Sequence, residues 1–198
     1  MYTIVTTRFT HTTWESNEQY RAKNNITGCI YGSPQEMSPK ILNESIVFVV
    51  EMNNDSNTIE GIGLVRNRAY LDKYYNIYKE GNYNRFIYKS NYRLDRDKLL
   101  EHNRVLVEIF DYILFCEKTH LKRGCGFTTI TPKFLASKKD ENCKKLVLDN
   151  IIKCIVQYFK DEYKLVNDIG VQENDENDEN NEKTDLFDTE KKALKKEN

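Results

Sequence analysis

The chain has 198 residues, 39% apolar and 31% charged, with a net charge of −1. That length supports one domain with a real core, and only three Pro and eight Gly exclude collagen-like or linker architecture. No apolar run approaches a membrane span and no signal-sequence pattern opens the chain. Its five cysteines (Cys29, Cys116, Cys125, Cys143 and Cys154) contain no C-x-x-C, so the expectation is an intracellular protein with reduced thiols and no membrane partner.

"YTIVTTRF" alternates and is β-branched, which predicts a strand starting at residue 2. "THTTWESNEQYRAKN" offers Thr12, Thr13 and Ser16 as N-caps for a short helix carrying Gln19 to Lys23. "TGCIYGS" reads as a short strand or turn, and Ser45 to Met52 as a central strand apolar on both faces. "NNDSN" closes a hairpin onto "TIEGIGLVRN", where Gly61 and Gly63 clear one face for the close approach of a ligand or another backbone. "YNRFIYKSNYRLDR" alternates as one further strand.

From Asp97 the period becomes helical, with Leu99, Leu106, Ile109, Phe110, Ile113 and Leu114 on one stripe ending near Phe115. "LKRGCGFTTIT" is a glycine-bearing loop entering a β-branched segment, and Thr131-Pro132 caps a turn of helix. The longest helix starts at Asp140, with Cys143, Leu146, Val147, Ile151, Cys154, Ile155, Tyr158 and Phe159 on its apolar face. These elements predict an α+β domain whose short strands suit a small, curved, partly closed β-barrel flanked by helices.

Charge divides the chain in two. Residues 166–198 carry eleven Asp or Glu against five Lys, a net of −6 that leaves +5 for residues 1–165. Rich in Asn, Asp and Glu, the acidic tail cannot bury enough apolar area to offset its ordering entropy and is predicted to be disordered. It reads as a solubilising tail, with mimicry of a polyanion at a basic face as the sharper alternative. The domain boundaries are therefore 1–165 and 166–198.

No P-loop, dinucleotide fingerprint, G-x-S-x-G or H-E-x-x-H is present, and no nucleophile–base pair stands out, so a non-enzyme without a cofactor is expected. Cys116, His120 and Cys125 have spacings that zinc accepts, with Cys29 or His11 to complete a tetrahedron. The stronger reading makes Cys116 a small buried hydrophobe at the end of an apolar helix, and no metal is expected. Cationic signals carry more weight. Lys118, His120, Lys122 and Arg123 surround a glycine turn that frees backbone amides, a phosphate-binding combination. Arg66, Arg68, Arg85, Lys89, Arg93 and Arg96, interleaved with Tyr83, Phe86, Tyr88 and Tyr92, resemble a stacking-plus-phosphate surface.

The order of "TTRFTHTTWESN", "GCIYGSP", "SIVFVVEM", "EGIGLV" and "NYNRFIYKSNYRL" resembles the PUA-like superfamily and, within it, the YTH and EVE domains. The likeness covers about residues 2–96 and is one of pattern. It implies that Tyr31 matches the family's cage aromatic, that Gly32 and Ser33 match its small polar neighbours, and that Thr10, His11 and Thr12 match the segment that hydrogen-bonds the base. Tyr31 stands where the family has Trp. Trp14, the one Trp here, lies upstream and joins the candidate base-binding set. Abundant Asn, Lys, Ile and Tyr indicate an AT-rich genome, and with the acidic tail the chain resembles accessory proteins of large DNA viruses.

The expected function is therefore binding of RNA or DNA, with one flipped or single-stranded base, modified or not, held near Tyr31. Arg85, Lys89, Arg93, Lys118, Lys122 and Arg123 would take the phosphates. The rival is a non-catalytic scaffold that docks a protein partner through the C-terminal helix or tail.

Overall fold

In the computed structural model of this protein the described residues are 2–116, 120–134 and 141–164. The expected tail and Lys118 lie outside them. The elements are β1 (Tyr2–Phe9), α1 (His11–Lys23), β2 (Cys29–Ser33), β3 (Ile46–Asn53), β4 (Thr58–Arg66), β5 (Phe86–Ser90), β6 (Tyr92–Asp95), α2 (Arg96–Phe115), β7 (Thr128–Thr129) and α3 (Glu141–Tyr163). Five strands form one mixed sheet in the order β6-β4-β3-β1-β7, with β1 parallel to β3, while β2 and β5 pair separately.

The α+β class holds, but the sheet does not close into a barrel. The segment read as a single strand breaks at Asn91 into β5 and β6. Ser90 drives the break: its hydroxyl donates to the Leu64 carbonyl and accepts from the Tyr92 amide at 3.2 Å. After it the chain leaves β2 and pairs with β4. The free side of β6 is then satisfied by α3, because the Tyr163 hydroxyl accepts from the Arg93 amide and donates to its carbonyl, at 2.9 and 2.8 Å.

Alternation along β3 creates two cores. Phe48, Val50 and Met52 face α2 and α3, packing with Phe110, Leu114, Ile155 and Phe159. Val47 and Val49 face the other way, toward β2, β5 and α1, with Tyr31, Tyr88 and Trp14. Burial of both strand faces explains why β3 reads as a continuous apolar run.

Helix boundaries and faces also differ from expectation. The N-cap of α1 is Thr10 rather than Thr12, Thr13 or Ser16, because Thr10 and Thr13 exchange hydrogen bonds between each side chain and the other's amide. In α2, Asn103 leaves the helical backbone region and caps a new start by accepting from the Leu106 amide at 3.0 Å. The buried stripe of the second half is Leu106, Val107, Phe110 and Leu114, so Ile109 faces solvent. On α3 the buried positions are Ile151, Ile155 and Phe159, four apart, whereas Leu146 and Val147 precede that stripe and are exposed.

Candidate functional site

Tyr31, expected as the aromatic of a base-binding cage, is instead buried at 1% exposure. Its register partner Tyr88 is also buried, and Phe127 meets both rings edge-on at 6.4 and 5.1 Å. The Tyr31 hydroxyl donates to Glu51 Oε1 at 2.7 Å, and the other carboxylate oxygen of Glu51 pairs with Arg93 Nη2 at 2.7 Å. Arg93 Nη2 also donates to the Glu60 carbonyl at 3.1 Å, and its guanidinium lies 5.6 Å from the Trp14 ring centroid.

Gly61 and Gly63 make room for this network. A Cβ at position 63 would sit 2.0 Å from the Tyr31 hydroxyl, and one at position 61 would sit 2.8 Å from both Glu51 Oε2 and Arg93 Nη2. The face cleared by the glycines is thus filled from inside the protein. Burial pushes the Tyr31 hydroxyl well above its ordinary range and the Cys29 thiol up to about 11. Desolvation opposes the charge on Arg93, and the Glu51 carboxylate more than offsets it, holding the guanidinium protonated.

An open cavity of about 420 Å³ lies beside this closed network. It is lined by Thr10, Thr12, Thr13 and Ser16 at the start of α1, by Tyr78, Lys79 and Tyr83, and by Gly32, Asn54 and residues 124–126. Gly32 is required here by close approach, since a Cβ would sit 2.1 Å from the Tyr83 carbonyl oxygen. Tyr83 is half-exposed and meets the buried Tyr78 edge-on, with centroids 6.4 Å apart. Burial pushes the Tyr78 hydroxyl up to about 12, and this group accepts from Asn17 Nδ2 at 3.1 Å.

Arg8 staples the 121–128 segment to the cavity floor, donating to the Leu121 and Gly126 carbonyls and to the Thr128 hydroxyl. These acceptors are neutral, so they occupy its donors without cancelling its charge. Among the described residues, the Thr12 hydroxyl and the Lys79 ammonium have no hydrogen-bond or ion-pair partner, and both border the cavity.

The sequence-predicted base set is split by this arrangement. Thr10, Thr12 and Gly32 line the cavity. His11 lies outside it, with its amide bonded to Asp55 at 2.6 Å and its ring 3.2 Å from Glu15. Trp14, Tyr31 and Ser33 are buried, Ser33 turning its hydroxyl to the Gln35 backbone.

The predicted phosphate set scatters further. Arg93 is corrected to an internal ion pair, because Glu51 and the glycine-cleared face hold it inside. Lys89 sits 4.6 Å over the Tyr70 ring and Arg85 5.3 Å over Phe86, while Arg123 is exposed. Lys122 bonds Asn57 Oδ1 at 2.6 Å. Among the described residues no three His, Cys, Asp or Glu stand together as metal ligands, and Cys29 is locked in the second core. Comparison with protein-family models, curated proteins and solved structures gave no match. Tyr78 and Lys79 escaped the sequence reading; the available signal was the run of Tyr70, Tyr74, Tyr75, Tyr78 and Tyr83 in a stretch with neither strand nor helix periodicity.

Proposed function

We propose that this domain is a non-enzymatic nucleic-acid-binding module that takes one unstacked base of a single strand into the cavity between α1 and Tyr83. The observation carrying this reading is that an exposed Thr12 hydroxyl and a half-buried Tyr83 ring line one space of about 420 Å³. Small-molecule sites run from roughly 300 to 1,000 Å³. A base needs an aromatic face to stack on and fixed hydroxyl or backbone groups at its polar edge, and this cavity offers both. Lys79, at the rim, supplies a cation for the adjoining phosphate.

The fold resemblance belongs to the same proposal. Residues 124–127 approach β2, with Gly126 against Ser33 and Phe127 against Tyr31, and this approach supports the resemblance while the sheet itself stays open. The base position differs from the one implied by that resemblance: Tyr83 takes the stacking role assigned to Tyr31.

Titration of dye-labelled single-stranded DNA, single-stranded RNA and duplex, with and without methylated bases, tests the reading. Single strands are expected to bind more tightly than duplex, with affinity falling as salt rises. Equal binding of duplex and single strand would contradict base capture.

A second reading is favoured by one observation. Val105, Ile109 and Tyr112 on α2 and Leu146 on α3 are exposed at 62%, 40%, 54% and 59%. Such apolar exposure suits a protein partner on the helical layer, on the far side of the sheet from the cavity.

A further inference from the structure

We infer that a bound single strand continues from the cavity, over the turn at Gly81–Asn84, into a second groove that stacks a further base on Tyr74. This inference rests on the proposed base-binding cavity and adds the path of the flanking nucleotides. The second groove has a volume of about 410 Å³ and is bordered by Tyr70, Leu71, Lys73, Tyr74, Asn82 and Arg85. Its two sides meet the first cavity at one short segment: Lys79, Glu80 and Tyr83 face the cavity, while Gly81, Asn82, Asn84 and Arg85 face the groove.

That shared rim is fixed rather than loose. Asn84 is buried, accepts from the Ile77 and Tyr78 amides at 3.1 and 2.9 Å, and donates to the Tyr78 carbonyl at 2.7 Å. A rigid separator between two recesses suits a ligand with repeated units, one unit in each.

The chemistry of the groove selects the class of ligand. Tyr74 is 70% exposed and Leu71 69%, and among the described residues Tyr74 makes no hydrogen bond or ring contact. Lys73 and Arg85 border the groove, and Lys89 and Arg68 lie over Tyr70, another of its lining rings, with Arg68 also 3.7 Å from Glu44. Asp72, beside Lys73 in the chain, is engaged by the Tyr75 hydroxyl, 3.0 Å from each carboxylate oxygen. Several of the cations lie over Tyr70, Tyr75 or Phe86, which fixes where their charge is presented. An exposed aromatic ring in a groove bordered by Lys73 and Arg85 matches a polyanion with stackable bases better than an acidic peptide, which offers charge without flat rings.

The test uses the full chain and dye-labelled probes: a mixed dinucleotide pool and a mixed-sequence octanucleotide, each as DNA and as RNA, with polyglutamate as the peptide control. Tyr74→Ala should weaken octanucleotide binding about tenfold, in the range measured for loss of a base–aromatic stack, and leave dinucleotide binding unchanged. Arg85→Gln should lower the salt slope of octanucleotide binding by about one. Tyr83→Ala should weaken both probes. Unfolding midpoints equal to that of the parent protein confirm that each variant is folded. If Tyr83→Ala weakens both probes and Tyr74→Ala weakens neither, the groove is refuted and the cavity stands. If the dinucleotide pool does not bind the parent and Tyr83→Ala changes nothing, the cavity fails as well. Binding of polyglutamate that is lost in Tyr74→Ala would overturn the assignment in favour of an acidic protein partner.

Discussion

The two sides of β2 show how one stretch of sequence builds both a closed polar network and an open recess. Tyr31 projects into the second core, where Glu51 and Arg93 reach it across the space left by Gly61 and Gly63. Gly32, the next residue, lines a cavity that nothing in the described chain fills. Both regions combine glycine with tyrosine. The difference lies in which partners the neighbouring elements supply: Glu51 and, through it, Arg93 meet Tyr31, whereas Thr12 and Lys79, which line the cavity with Tyr83, have no such partners among the described residues. A glycine pair therefore marks close approach, and only the neighbouring strands reveal whether the visitor is internal or external.

The comparison breaks most visibly at the closed network. Tyr31→Ala and Glu51→Ala should each cost about 3–5 kcal/mol, the first by leaving an aromatic-sized void and the second by stranding Arg93 without its buried counter-charge. Urea unfolding measures both. Because the two residues share one hydrogen bond, the double variant should lose less than the sum of the singles. Costs below about 1 kcal/mol, the level of an exposed contact, would place Tyr31 at an open surface after all.

A smaller effect should be read from pH. The Cys29 thiol has an ordinary value of 9.0 and is pushed up to about 11 by burial. Below pH 9 both the folded and unfolded chains hold the proton, so the contribution is fully present there. Between pH 9 and 11 the unfolded chain releases the proton while the folded chain keeps it, and stability falls as pH rises. One pKa unit corresponds to about 1.4 kcal/mol, so this two-unit shift accounts for about 2.7 kcal/mol over that window. Cys29→Ala should remove that part of the alkaline slope; an unchanged slope would show that the thiol is not confined.

How much of this is readable from the sequence follows from the same contrast. Strand alternation in "YTIVTTRF" and the two-faced run in β3 locate the strands, although β1 is buried on both faces from Ile4 to Thr7 rather than alternately. The break at Asn91 is hidden, since it depends on the Ser90 hydroxyl finding a carbonyl on β4, a contact with no local signature. Thr10 and Thr12 are locatable from the polar loop after β1, and they do line the cavity. Arg93 is not separable from Arg85 or Lys89 by pattern: all three are cations among aromatics, and the difference is Glu51, forty-two residues away in sequence and only 2.7 Å away in space. Tyr83 reads as one aromatic among many because the 70–85 segment has no repeating period to assign its faces.

We propose that base binding resides at Tyr83 and not at Tyr31. Affinity for a single-stranded octanucleotide, measured with the unfolding midpoint of Tyr83→Ala, addresses it most directly. A loss of about 1–3 kcal/mol in binding is expected, with a midpoint close to that of the parent protein. Full affinity in a folded Tyr83→Ala protein would contradict it.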